Sequence, residues 1–161
     1  MTQFRIARTR RAADLRACAA LMAATDPWLK LGLDHKACLK NISAPLREVY
    51  AARAGGKIAG VIVLQMTGTF RGYIQTVCVA AEARGLGLGT RLVKHAEKRI
   101  FRESPNAFLC VSSFNRKAQK LYKKLGYAKI GLLKDFVVKG CDEILMRKTL
   151  GSFRDFYSRQ R

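Results

Sequence analysis

Arg84, Gly85, Gly87 and Gly89 crowd into one short stretch between a strand-like run and a helix-like one. The run before them, Ile74-Gln75-Thr76-Val77-Cys78-Val79, is apolar and rich in β-branched residues, as a buried strand should be. A spacer, Ala80-Ala81-Glu82-Ala83, separates it from Arg84-Gly85-Leu86-Gly87-Leu88-Gly89-Thr90. Leu88, Leu92, Ala96 and Ile100 then recur every four residues, which opens an amphipathic helix. Free amides at a helix start, glycines that block nothing and a neighbouring cation together make a seat for a pyrophosphate.

Two phosphate loops compete for this stretch and fit it badly. A P-loop needs Gly-Lys-Ser/Thr at the helix start, whereas Gly89 is followed by Thr90 and Arg91. A dinucleotide-binding turn needs G-x-G-x-x-G directly after the strand, whereas these glycines alternate after a spacer. A bare R-x-x-G-x-G also fits a glycine turn with no ligand. Strand, spacer, Arg84-x-x-Gly87-x-Gly89 and helix in that order is far more specific.

A second constellation lies downstream in Asn115-Arg116-Lys117-Ala118-Gln119-Lys120-Leu121-Tyr122-Lys123-Lys124-Leu125-Gly126-Tyr127. Ala118, Leu121, Tyr122 and Leu125 fall on one helical face. By themselves they read as core, with Asn115 as a helix cap and Tyr122 as a buried tyrosine with a satisfied hydroxyl.

Together the two motifs resemble those of the GCN5-related N-acetyltransferase (GNAT) superfamily, whose second signature is N-x-x-A-x-x-L-Y-x-x-x-G-F/Y. The resemblance spans about residues 4–149 and leans toward the ribosomal-protein-alanine acetyltransferase branch. It implies that acetyl-CoA lies where two parallel strands splay, here those ending at Val79 and near Val111. The backbone of Val77, Cys78 and Val79 would pair with the pantetheine arm, and one amide near Val79 would steady the developing oxyanion. Arg84 and the amides of Gly85, Leu86, Gly87, Leu88, Gly89 and Thr90 would hold the pyrophosphate, and Asn115 would reach the cofactor from the other side. Tyr122 would give a proton to the departing sulfur, since a phenol of pKa about 10 is protonated at neutral pH. Attack by a neutral amine needs no metal and no covalent intermediate.

The base is missing from its expected place. In the ribosomal-protein relatives a glutamate stands five residues before the motif asparagine; here that residue is Cys110. A thiol in an apolar strand is a poor base, so Cys110 reads as core. Glu48, Glu82, Asp135 and Glu143 are the alternatives, and the sequence does not choose among them. His35 and His95 read as ordinary residues.

The elements that must position these groups follow from patterning. Residues 4–8 alternate as a strand, and 11–24 form a helix that ends at Asp26-Pro27. Asp34 caps a short helix to Ile42. Strands over 47–53 and 57–66 meet at Ala54-Gly55-Gly56, a hairpin signal. Strands over 72–79 and 107–111, a helix over 115–125 stopped by Gly126, and strands over 128–138 and 143–148 joined at Lys139-Gly140 complete the domain. The predicted fold is α/β, a mixed central sheet with helices on both faces. Residues 1–150 read as a single N-acetyltransferase domain, and 151–161 as a basic, frayed extension.

Composition narrows the context. The 161 residues are 49% hydrophobic, enough for one well-buried domain, without linker-like tracts or repeats. The apolar run over 58–64 has a strand's length, so no membrane association is expected. Five cysteines, odd in number and without a C-x-x-C pair, suggest reduced thiols in a cytoplasmic protein, with no zinc site. Arg5, Arg8, Arg10 and Arg11 ahead of apolar residues 17–24 loosely mimic a targeting peptide, but the same residues serve as strand and helix.

Thirty-one basic against 11 acidic residues give a net charge of +20. That charge attracts polyanions: CoA phosphates, RNA, the ribosome or acidic proteins. A solvated basic surface explains it equally well, and a homodimer is compatible with it. Trp28, Leu29, Leu31, Leu33, Phe136 and Val138 are candidates for acceptor contact or for core. The reading is an acetyl-CoA-dependent N-acetyltransferase acting on a primary amine. The rival is a basic RNA- or CoA-binding module on the same fold without turnover.

Overall fold

Gly55 and Gly56, both with positive φ, close the tight turn that the hairpin signal predicts. They join strand β2 (Arg47–Ala54) to β3 (Lys57–Gln65) in a computed structural model that describes residues 3–159. With β1 (Arg5–Arg8), β4 (Tyr73–Val79), β5 (Asn106–Ser112), β6 (Ala128–Leu133) and β7 (Glu143–Thr149) they form one sheet, ordered β1-β2-β3-β4-β5-β7-β6. The helices are α1 (Ala12–Ala23), α2 (His35–Ile42), α3 (Leu88–Ile100), α4 (Arg116–Lys124) and α5 (Phe153–Ser158).

Two apolar layers sandwich the sheet. On one face Cys18, Ala19 and Met22 of α1 and Cys38 and Ile42 of α2 pack on Val49, Val61, Val63 and Cys78. On the other, Leu88, Leu92, Ala96 and Ile100 of α3 and Tyr122 of α4 pack on Ile62, Leu64, Ile74 and Leu109. Each buried leucine or isoleucine of α3 contributes about 1.5–3 kcal/mol, so packing rather than propensity holds this helix.

All neighbouring strands are antiparallel except β4 and β5, which the α3 crossover makes parallel. That pair is short: only Tyr73↔Phe108 and Ile74↔Leu109 are in register. Gly72 lets the strands meet at this end. Its φ is +89°, and a Cβ there would lie 2.4 Å from the Asn106 carbonyl oxygen. Just past the last pair, Thr76 faces Val63 and Ile74 faces Leu64, which leaves Gln75 as a bulge. A bulge bends its strand and adds twist, and here β4 parts from β5. The bulge also resets the alternation. Val77 and Val79 join Ile74 on the α3/α4 side, while Cys78 points to α1 and α2.

Two segments differ from the sequence expectation. Strand β6 stops at Leu133 rather than 138, and a loop, not a two-residue turn, leads to β7. Asp135, with φ +52°, accepts from the Gly140 amide while its own amide donates to Asp142 Oδ1, and these bonds fold the segment away from the sheet. The tail expected to fray contains α5. Ser152 caps it by accepting from the Asp155 amide at 3.1 Å, and the Tyr157 hydroxyl donates to the Glu103 carbonyl at 3.0 Å.

Candidate active site

The start of α3 builds one end of the site. Gly87 is its N-cap with φ +76°, and no side chain caps the amides that follow. Gly85 has φ +75°, and a Cβ at either position would meet nothing within 4 Å. Glycine is thus required by backbone conformation there, and open space lies beside it. Gly89 differs: its backbone is helical, and an added Cβ would lie 3.4 Å from Leu121 Cδ2 of α4. Leu88, only 1% exposed, anchors the turn in the core. The Arg84 Nε donates to the Val79 carbonyl at 3.4 Å, which draws the cation over the end of β4.

The turn from β5 into α4 builds the opposite wall. Asn115 Oδ1 accepts from the Ala118 amide at 3.2 Å, which orients the side chain and leaves its amide nitrogen to reach a ligand. Gln119 Nε2 donates to the carbonyls of Ser112 and Ser113 at 3.2 and 2.9 Å, fixing the turn. Tyr122 is 7% exposed, with its ring centroid 6.0 Å from that of Tyr127. No hydrogen bond engages its hydroxyl among the described residues, and burial pushes the phenol well above its ordinary pKa. The group therefore holds its proton throughout the neutral range.

Between these walls, where β4 and β5 part, lies a cleft of about 840 Å³. It gathers Val77, Cys78, Val79, Arg84, Gly85, Gly87, Leu88, Gly89, Thr90, Asn115 and Tyr122. Leu86 alone among the expected site residues lies outside the lining, with an exposed side chain. Cys78 lends the cleft its backbone, since its thiol is buried in the α1/α2 layer and pushed up to about 12 by desolvation.

Sequence reasoning missed Thr25, Asp26 and Lys30 from the α1–α2 connection, Phe114 just before the second motif, and Arg116 and Lys117 within it. Lys30 Nζ sits 4.8 Å from the Phe114 ring centroid, so the connection touches the far wall. No local pattern announces that pairing. Of the acceptor-contact candidates, Trp28, Leu31 and Leu33 are wholly or partly buried. Leu29 is 60% and Phe136 59% exposed on loops, and Val138 is half-buried.

The acids separate cleanly. Burial raises the Glu48 carboxyl, but the Arg99 guanidinium, 2.8 Å away, and the Tyr50 hydroxyl outweigh it and hold the group below the usual range. Glu82 and Asp135 are exposed. Glu143 is 5% exposed on β7, directly opposite Ser112, whose Oγ donates to its carboxylate at 2.6 Å. His95 packs edge-on against Tyr50, 4.9 Å between centroids, and desolvation lowers its pKa. Among the described residues no His, Cys, Asp and Glu cluster could hold a metal.

A strand pair parted over a glycine-capped helix is a recurrent arrangement. The sequence model of the Acetyltransferase (GNAT) family matches residues 13–127. The chain belongs to that family. It is 29% identical over 147 residues to the N-alpha-acetyltransferase RimI of Mycobacterium tuberculosis, covering 86% of this chain and 89% of that protein. The ribosomal-protein-S18-alanine N-acetyltransferase of Escherichia coli superposes with a TM-score of 0.73 at 18% identity, over 93% of this chain and 96% of that one. An aminoglycoside 6'-N-acetyltransferase solved with coenzyme A superposes with a TM-score of 0.71 at 19% identity, over 92% and 98%. This GNAT chain is similar to RimI and is an acetyl-CoA-dependent N-acetyltransferase.

The residues present suit that cosubstrate. The α3 amides lack a capping side chain beside open space at Gly85 and Gly87, and Arg84, Arg116 and Lys117 surround the same cleft. The segment of β4 beyond Ile74 has no partner on β5, which leaves backbone groups able to pair with an extended arm.

Proposed function

We propose that this GNAT enzyme acetylates the amino terminus of a peptide or protein, through one site in the cleft between β4 and β5. The observation that carries the proposal is the parting of these strands just past Ile74 and Leu109, with the glycine cradle at one end and the buried Tyr122 hydroxyl on the wall. Arg84 and the amides of residues 85–90 hold the pyrophosphate. The backbone of Val77, Cys78 and Val79 holds the pantetheine arm. Asn115 contacts the arm from α4, and Tyr122 protonates the departing sulfur. Acetyl-CoA supplies the activated acyl group, and no metal is needed.

The choice of acceptor follows from the RimI relative and from the exposed Leu29, which neighbours Lys30 of the cleft and offers apolar contact to a side chain near the amine. Residues 1–150 act as one catalytic domain and 151–161 as its basic extension, in a cytoplasmic setting. The net charge of +20 favours encounter with an acidic protein or a ribosome-bound acceptor, and dimerisation of the chain is compatible with it. None of the described helices is long and apolar enough to cross a membrane.

The test is calorimetric titration with acetyl-CoA, then thiol release in the presence of peptides with free amino termini. Saturable binding, with release that depends on a free amine, is expected. Binding without release for every peptide and small amine would overturn the enzymatic reading of the acceptor side.

A further inference from the structure

The pairing of β5 with β7 sets one acid, without any local motif, opposite the part of β5 that lies past its last pair with β4. Side chains alternate along β5, so Ala107, Leu109 and Val111 enter the α3/α4 layer while Cys110 and Ser112 face the other way. Glu143 stands opposite Ser112 and shares its face. Helices α1 and α2 cover that face over β2, β3 and β4, where their side chains pack. An amine reaching the parted strands from this side meets them across from Tyr122, which comes from α4.

We propose that Glu143 is the group that takes the proton of the attacking amine, directly or through one water, with Ser112 positioning its carboxylate. The inference rests on the acetyl-transfer reading above. The other buried acids are tied to cations: Glu48 to Arg99, Glu97 to Lys148 and Asp14 to Arg53, all within 2.8 Å. Glu143 is held by a hydroxyl instead, and burial pushes its carboxyl up, toward the range where a base works at neutral pH. The groups that face it are Tyr73 from β4, Cys110 and Ser112 from β5 and Leu133 from β6. Burial raises both the Tyr73 phenol and the Cys110 thiol, so each keeps its proton beside Glu143.

In the step, the amine nitrogen bonds to the thioester carbon as the carbon–sulfur bond breaks. The nitrogen's proton passes to Glu143, and the sulfur takes the proton of Tyr122. Exchange with solvent restores both groups. The sum is amine plus acetyl-CoA giving the N-acetyl amide plus the free thiol.

The experiment follows thiol release from acetyl-CoA with a panel of free-amino-terminal peptides and small primary amines, across pH. Glu143→Gln should lower kcat by about 10²-fold or more, leave the KM for acetyl-CoA unchanged and abolish the acidic limb of the kcat profile. Ser112→Ala should keep the limb but move it to higher pH, because the hydroxyl now holds the carboxyl down. A folded Glu143→Gln protein within threefold of the parent, with its limb intact, overturns the proposal and leaves the function standing. If that variant does not fold, an unmoved limb in Ser112→Ala overturns it. A parent that binds acetyl-CoA but acetylates no amine in the panel overturns the function and the proposal together.

Discussion

The two sides of the gap between β4 and β5 are built by different means. The α3/α4 side relies on backbone: a left-handed Gly87, uncapped amides and the free segment of β4 past the bulge. The other face of β5 and its neighbours carries side chains from strands far apart in sequence, Tyr73, Cys110, Ser112 and Glu143, brought together by pairing alone. A site made of backbone tolerates few residue types, so it leaves a spaced motif. A site made by strand pairing leaves none, because any element can supply the acid provided its face points the right way. Under the proposed function, the side assigned to the cosubstrate is constrained by backbone geometry, and the side assigned to the acceptor is constrained only by which face a side chain takes.

The strongest test of that contrast removes the chemistry on the first side. Tyr122→Phe keeps the ring and its packing against Tyr127 but removes the proton. Turnover should fall by about 10²-fold or more, with acetyl-CoA affinity and melting temperature near those of the parent. Full activity in the folded variant would make Tyr122 a core residue and leave the α3/α4 side with a binding role only.

Next in size is a comparison of two buried acids. Glu48→Gln breaks the bond to Arg99 and should cost about 1–3 kcal/mol of stability, less than a fully buried pair because both partners keep some exposure. The Glu48 carboxyl lies below its unfolded pKa, so its contribution is present above that pKa and is lost as pH falls through the folded value. Glu143 has the opposite sign. Its raised pKa makes stability fall as pH rises from the unfolded value through the folded one. Glu143→Gln should therefore melt no lower than the parent at pH 7 while losing activity, whereas Glu48→Gln melts lower and keeps it. Thermal melts of both variants at pH 4 and pH 7 check this. Equal behaviour of the two would erase the distinction between a structural and a functional acid.

A smaller effect separates space from strain within the cradle. Gly89 has an ordinary helical backbone, so Gly89→Val adds bulk between Leu121 and Val79 without backbone strain. Acetyl-CoA affinity should fall about tenfold, roughly 1.4 kcal/mol, by calorimetry. At Gly87 any side chain meets a φ of +76°, at a cost of about 1–2 kcal/mol before a ligand is involved. Loss of binding at Gly87 would thus not report on space, and unchanged affinity in Gly89→Val would move the pyrophosphate away from this face.

The same division explains what was legible in the sequence. The strand–spacer–glycine–helix order, the Asn115 cap and the helical face of Ala118, Leu121 and Tyr122 were readable because each is local. The bulge at Gln75 was not, since nothing near Ile74 or Thr76 marks an unpaired residue; only the opposing strand reveals it. Nor was the choice among Glu48, Glu82, Asp135 and Glu143, which depends on Arg99, solvent and Ser112, each distant in sequence or absent from it. The end of β6 at Leu133 was missed because Phe136, Val137 and Val138 read as strand. The bonds of Asp135 to Gly140 and Asp142 prevail over that apolar run.

The smallest expected effect concerns the tail, which lies at the other end of β5 from the gap. The amide of Leu150 donates to the Pro105 carbonyl at 2.8 Å, and Tyr157 reaches Glu103, whose side chain pairs with Arg99. The contact joins α5 to the connection after α3, away from every cleft residue. Tyr157→Phe removes one exposed hydrogen bond and should lower stability by less than about 1 kcal/mol. Acetyl-CoA affinity should not change, because the contact lies at the opposite end of α3 from Gly87. Deleting 151–161 also removes basic residues, among them Arg154, Arg159 and Arg161, and should weaken binding to RNA or an acidic peptide at low salt more than it weakens acetyl-CoA binding. Fluorescence titration of both ligands against the parent, the point variant and the truncation tests this. A truncation that loses acetyl-CoA affinity would tie the tail to the cradle. One that keeps its polyanion affinity would place the useful charge on the sheet and helices instead, because Tyr157→Phe leaves all of the tail's cations in place.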